Sequence, residues 1–154
     1  MKTIFKLFLI LIIFSSCTKE EIEIYEEPKT FNEIILDYVN EIRVNGLEFE
    51  DVYYTGRDSL YPADNLMKAS QIHCDYMFKN GLTHTWENDR EMRDILYGYT
   101  YFSQAVEKKY IETPEEFIKV FLSKQCNCDF IMNANAKFIG IANKGEYWCL
   151  MLAK

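Results

Sequence analysis

Residues 113–142 read TPEEFIKVFLSKQCNCDFIMNANAKFIGIA, and three textures follow one another in that stretch. Thr113, Pro114 and Glu116 stand at the N-cap, first and third positions of a helix. There a hydroxyl and a carboxylate can each take up a backbone N–H left unpaired at a helix start. Phe117, Val120 and Phe121 then recur at i, i+3 and i+4, with Ile118 and Leu122 beside them, which predicts a broad buried stripe. Cys126 and Cys128 fall in what reads as a tight elbow, and Phe138 to Ala142 (FIGIA) is too short and too β-branched for another helix. The order predicted is helix, elbow, strand.

Working outward, Asn143-Lys144-Gly145-Glu146 reads as a turn and Tyr147 to Leu152 (YWCLML) as a last strand. An almost unbroken apolar run of that length suits a central strand covered on both faces. Upstream, Phe31 to Asn45 carries Ile34, Ile35, Tyr38, Val39 and Ile42 at helical spacing and ends at Gly46. Leu47 to Tyr61 has no clean period and reads as a loop or a short strand around Val52 to Tyr54. Ala63 to Asn80 places Leu66, Ala69, Ser70, His73 and Met77 on one helical face before Gly81. His73 is thereby a hydrogen-bonded core histidine rather than a ligand, and its exchange for leucine is expected to be cheap. Asp89 to Tyr99 predicts a further short helix. Helices and apolar strands in this order imply an α+β fold, a three-layer α-β-α sandwich with a mainly antiparallel central sheet, filling residues 31–154.

The 154 residues hold 17 Lys and Arg against 24 Asp and Glu, a net charge of −7. Nucleic acid and anionic membrane faces are bound through basic patches, so this balance argues against both as direct partners. Residues 1–16 pair Lys2 and Lys6 with an apolar run from Leu7 to Phe14. That is a signal peptide and not a span, which needs about 20 apolar residues. Ser15-Ser16-Cys17 resembles the lipobox of bacterial lipoproteins, with Phe14 where Leu is usual. The resemblance implies that Cys17 is the diacylated first residue of the mature chain. Residues 17–30 follow as an acidic tether, too charged to bury a core. Within it Lys19-Glu20-Glu21 resembles the export signal that sends some Gram-negative lipoproteins to the outer face of the cell. Attachment to the outer membrane or cell surface through the lipid is the localisation these features imply.

The domain itself resembles the CAP superfamily, the cysteine-rich secretory, antigen 5 and pathogenesis-related proteins, in its bacterial branch. Phe121 to Asn133 follows the family's W-L-x-S-P-G-H-[CR]-x-x-I-[ML]-N run without a gap, with Asn127 in the place of the pocket histidine. Asn40, Arg43, Gly46 and Leu47 match its N-x-x-R-x-x-x-G-L opening, allowing one residue less before the glycine. Leu66, Ala69, Ser70, His73 and Met77 match L-x-x-A-A-x-x-H-x-x-x-M, and Arg93 to Tyr99 resembles R-x-x-x-x-G-Y. Thr83-His84 stands where the family delivers its first pocket histidine from a loop. The family's E-N-[IV]-A falls either on Ser103-Gln104-Ala105-Val106 or on Ala105-Val106-Glu107-Lys108, and neither register puts a Glu at the first position. The pocket residues this resemblance implies are His84, Gln104 and Asn127.

Two histidines and one or two acids of such a pocket suit zinc or a similar cation. With Asn127 offering a neutral amide, a zinc site is not expected here, and no other cofactor is implied. Catalysis would need a nucleophile with a base in reach, but the chain has no G-x-S-x-G or H-E-x-x-H run. A Cys128 and His84 dyad is the one conceivable pair. Cys74, Cys126, Cys128 and Cys149 allow three full pairings, and no disulfide is assigned. The expected function is a lipid-anchored, non-catalytic binding module with a degraded pocket, its partner a protein, peptide or lipid. The alternatives are an envelope hydrolase of peptide or cell-wall polymer using His84, and a binder of an apolar lipid or sterol.

Overall fold

In the computed structural model, which describes residues 28–86 and 89–154, the chain opens with α1 (Phe31–Asn45), β1 (Leu47–Phe49), β2 (Val52–Tyr54) and β3 (Tyr61–Pro62). Then come α2 (Asp64–Asn80), α3 (Asp89–Ile95), β4 (Phe102–Lys108), α4 (Pro114–Phe121), α5 (Gln125–Ile131), β5 (Phe138–Lys144) and β6 (Tyr147–Ala153). Residues 1–27, which include the stretch read as a signal peptide, Cys17 and most of the expected tether, lie outside the described residues. Among the described residues no helix is long and apolar enough to cross a membrane.

Local chemistry accounts for the helix starts. Thr30 and Glu33 form a reciprocal capping box on α1, and the Thr113 hydroxyl accepts the Glu116 N–H on α4 at 3.2 Å. Helix α3 stops at Ile95, short of the expected Tyr99, and the chain turns through Gly98 at a φ of 99°. The segment between residues 47 and 61 is a small antiparallel hairpin, β1 with β2, followed by the short β3.

The main sheet has the order β3-β5-β6-β4, with β6 antiparallel to both neighbours and β3 parallel to β5. Every residue of β6 is buried, because its two faces meet different helices. Trp148, Leu150 and Leu152 join Ile139 and Ile141 under α1, α4 and α5. Tyr147, Cys149, Met151 and Ala153 join Ala142 under α2 and α3. The architecture is therefore the α-β-α sandwich, mainly antiparallel. Phe117 stacks on Phe121 at 5.3 Å between ring centroids and packs at a tilt against Trp148 at 4.8 Å. Burying each such ring is worth about 1.5–3 kcal/mol. On the other face Gly140 removes all side-chain bulk where α2 crosses β5, since a Cβ there would strike the backbone of Leu66 and Met67.

A further element departs from the sequence reading. The cysteine-bearing elbow is itself a helix, α5, whose first turns are closed by Asn127 and Cys128 N–H groups on the Lys124 carbonyl. No side chain caps it at Lys124. A seven-residue helix without a cap is unstable alone, so its stability comes from burying Asn127, Cys128, Phe130 and Ile131.

Candidate functional site

Helix α5, strand β4 and the loop after α2 enclose a cavity of about 640 Å³, whose lining includes His84, Ser103, Gln104, Lys124, Asn127 and Asp129. The three residues singled out from the sequence, His84, Gln104 and Asn127, thus line one concavity. Each is held by a different contact.

The loop that carries His84 is tied down on both sides. His73, 1% exposed inside α2, donates its Nε2–H to the Thr83 carbonyl at 2.8 Å. The Thr83 hydroxyl accepts the Thr85 N–H at 3.0 Å. From the sheet, Gln104 donates Nε2 to the His84 carbonyl at 2.7 Å and accepts the Trp86 indole N–H on Oε1 at 2.6 Å. Trp86 packs edge-on to Phe102. Both ends of the Gln104 amide are used in clamping the loop. The His84 ring stays exposed, and among the described residues no side chain hydrogen-bonds it. Because His73 supports a part-buried carbonyl, its exchange for leucine is expected to cost more than its apolar face suggests. Burial also pushes the His73 pKa below the ordinary value of 6.5, outweighing the carbonyl that favours the protonated ring.

Asn127 is buried and donates Nδ2 to the Phe121 carbonyl at 2.8 Å, with the Cys126 thiol against its Oδ1 at 3.8 Å. Its amide thereby staples the end of α4 to α5. Glu107, 8% exposed on β4, meets the ammonium of Lys124 at 2.6 Å. The carboxylate is shielded while the ammonium stays half exposed at the cavity. Asp129 accepts the Tyr54 hydroxyl at 2.6 Å, which pushes the phenol up to about 12. Lys124 and Asp129 were not apparent as site residues in the sequence. Glu107 is 17 positions from Lys124, and no local pattern links the two.

Of the side chains that line the cavity, those of His84, Cys126 and Asp129 are of types that ligate divalent cations. Among the described residues there is no group of three or more His, Cys, Asp or Glu in reach of a common ion. The cavity also holds the Lys124 ammonium and the Asn127 amide, which repel a metal ion or ligate it weakly. Nor does the geometry pair Cys128 with His84 as nucleophile and base. Cys128 is buried away from the cavity lining, its thiol donates to the Leu122 carbonyl at 3.5 Å, and burial raises its pKa. The structure does not bring Cys128 to His84's cavity. All four described cysteines are free, Cys126 alone being exposed.

By sequence the chain matches no protein-family model and no curated protein. By structure it has a bacterial CAP-like fold. It resembles an extracellular protein containing a SCP domain from Bacillus anthracis, with a TM-score of 0.63 and 12% identity over 84% of this chain and 45% of that one. It also resembles an outer surface protein from Borrelia burgdorferi, with a TM-score of 0.64 and 16% identity over 84% of this chain and 96% of that one. A cysteine-rich secretory protein from Staphylococcus aureus gives a TM-score of 0.61 and 14% identity, over 84% of this chain and 41% of that one. The chain thus spans less than half of the Bacillus and Staphylococcus proteins. At these identities the likeness is one of fold.

Proposed function

We propose that the chain is an exported CAP-fold module, anchored through a lipid on Cys17 at the cell surface of a Gram-negative bacterium. Its cavity binds a protein, peptide or lipid partner without catalysis. The observation that carries this reading is the Glu107–Lys124 pair beside Asn127. An internal ammonium at the cavity neutralises the buried acid, and an amide stands where the family resemblance implies the second imidazole. Surface location draws support from the fold neighbours, one described as extracellular and one as an outer surface protein. The hydrolase alternative has the exposed His84 but no hydroxyl or thiol hydrogen-bonded to its ring among the described residues.

The test is thermal unfolding of the full chain with micromolar zinc. A ligand stabilises only when its concentration exceeds its dissociation constant, so no rise in the thermal midpoint is expected. A rise that disappears in His84→Ala would overturn the reading and return the hydrolase to first place.

A further inference from the structure

A second cavity, of about 700 Å³, lies between the segment that follows β2 and the connection from α5 to β5. It shares no lining residue with the cavity at His84. Its walls carry Arg43, Arg57 and Lys137, with Asp58 the one acid and Ser59 and Tyr61 adding hydroxyls. In a chain with a net charge of −7, this is a local reversal of sign.

The three cations are poorly compensated. Arg43 is 1% exposed and spends its donors on neutral carbonyls: Nε on Asp58 at 2.8 Å, and Nη1 on Ile131 and on Asn133, the latter at 3.1 Å. Arg57 is exposed, and among the described residues its side chain reaches only the Met132 carbonyl, with Nε at 3.4 Å. Among the described residues neither arginine nor Lys137 has a carboxylate within ion-pair distance. Carbonyl dipoles satisfy the geometry of a buried guanidinium but leave its net charge in place, and a charge kept from water is costly without a counter-ion. Burial followed by the neighbouring Arg57 lowers the Arg43 pKa, and Asp58 offsets this only in part.

We propose that this cavity binds a small molecule through an oxyanion group, a phosphate or a carboxylate, held by Arg57 and Lys137 over the buried charge of Arg43. Arg57 has its terminal guanidinium nitrogens free of protein acceptors among the described residues, and that planar fork matches two oxygens of one anion. The volume is that of a small-molecule site rather than a bare ion hole. Arg43 also pins the segment carrying Arg57, through its bond to the Asp58 carbonyl, so the fold itself sets the spacing of the cations.

The experiment titrates the full chain with inorganic phosphate and, separately, with acetate, at constant ionic strength against chloride. Thermal midpoint and backbone amide NMR shifts are the readouts. A saturable midpoint rise with either anion is expected, with shifts centred on Arg57, Ser59 and Lys137. The double variant Arg57→Ala, Lys137→Ala changes only exposed side chains. It is expected to lose affinity by roughly tenfold or more, as removal of charge-assisted hydrogen bonds does. The anion that binds identifies the headgroup. Response to neither anion overturns the proposal, and so does a rise of equal size in the double variant, which is the general stabilisation that excluded salts give. The wild-type NMR shifts decide the matter alone if the variant fails to fold.

Discussion

His73 on α2 donates its ring N–H to the carbonyl of Thr83, one residue before His84. A histidine buried in the core thus holds in place the loop that presents the exposed one. Replacing His73 with leucine keeps the packing volume but strands that carbonyl. The expected cost is about 1–3 kcal/mol, read as a lower midpoint in urea. Faster amide exchange from Leu82 to Trp86 is expected alongside. Unchanged exchange in those residues would show that the bond does not support the loop.

The same histidine predicts a pH dependence. Its folded pKa lies below the ordinary 6.5, with burial the main cause. Below that value the unfolded chain takes up a proton that the folded chain resists, so stability falls with pH. The contribution is complete above about pH 6.5 and is lost progressively as pH falls toward the depressed folded value. Unfolding midpoints of wild type and His73→Gln, compared between neutral and mildly acidic pH, are expected to converge as pH drops. Parallel curves would assign the titration to another group.

Gly140 tests the seating of α2 on the sheet. A methyl group there meets backbone atoms of Leu66 and Met67, which cannot rotate aside as a flexible side chain could. Gly140→Ala is expected to cost at least ~1–3 kcal/mol, the usual range for overpacking. By contrast, Gly81→Ala adds a Cβ that meets nothing within 4 Å, although its φ of 95° carries its own strain. Calorimetric midpoints of the two variants separate packing from backbone effects.

Ser103 and Asn127 line the cavity together with His84. If ligand loss is what disarms the pocket, Asn127→His with Ser103→Glu is expected to create a zinc-dependent rise in thermal midpoint that the wild type lacks. Adding Lys124→Ala, which removes the ammonium, is expected to enlarge it. Failure of every combination would mean that these side chains do not converge on one point. The substitution at Asn127 also gives up its bond to the Phe121 carbonyl, at a net cost of about 1 kcal/mol, so midpoints must be compared with and without metal for each variant.

Anchoring is tested outside the described residues. Cys17→Ser is expected to move the protein from the membrane fraction to the soluble one, since the acyl chains would supply the binding and the acidic chain offers little else. Protease added to intact cells is expected to cut the wild type and to spare the variant with Lys19, Glu20 and Glu21 all replaced by alanine. Retention of the serine variant in membranes would refute lipidation.

Much of the scaffold was legible because its signals are local. Helix α1 runs from Phe31 to Asn45 as its periodicity and Gly46 predict, and β6 is as buried as its apolar run requires. Spacing along a chain reports which face is buried when the element is long enough for the pattern to repeat. Helix α5 has only seven residues and no side-chain cap, so its sequence reads as an elbow, and burial against the core makes it helical.

The site divides along the same line. The sequence by itself determined that Thr83-His84 follows a helix, and its resemblance to the CAP pattern singled out Asn127 and, in one of two registers, Gln104. Only the tertiary structure decided what these side chains do. It turns Gln104 into the clamp between His84 and Trp86, brings Lys124 onto Glu107, and gathers Arg43, Arg57 and Lys137 around one cavity. Those contacts join residues far apart in sequence, and their strength depends on burial and on the charges nearby, which come into being only when helices and sheet pack.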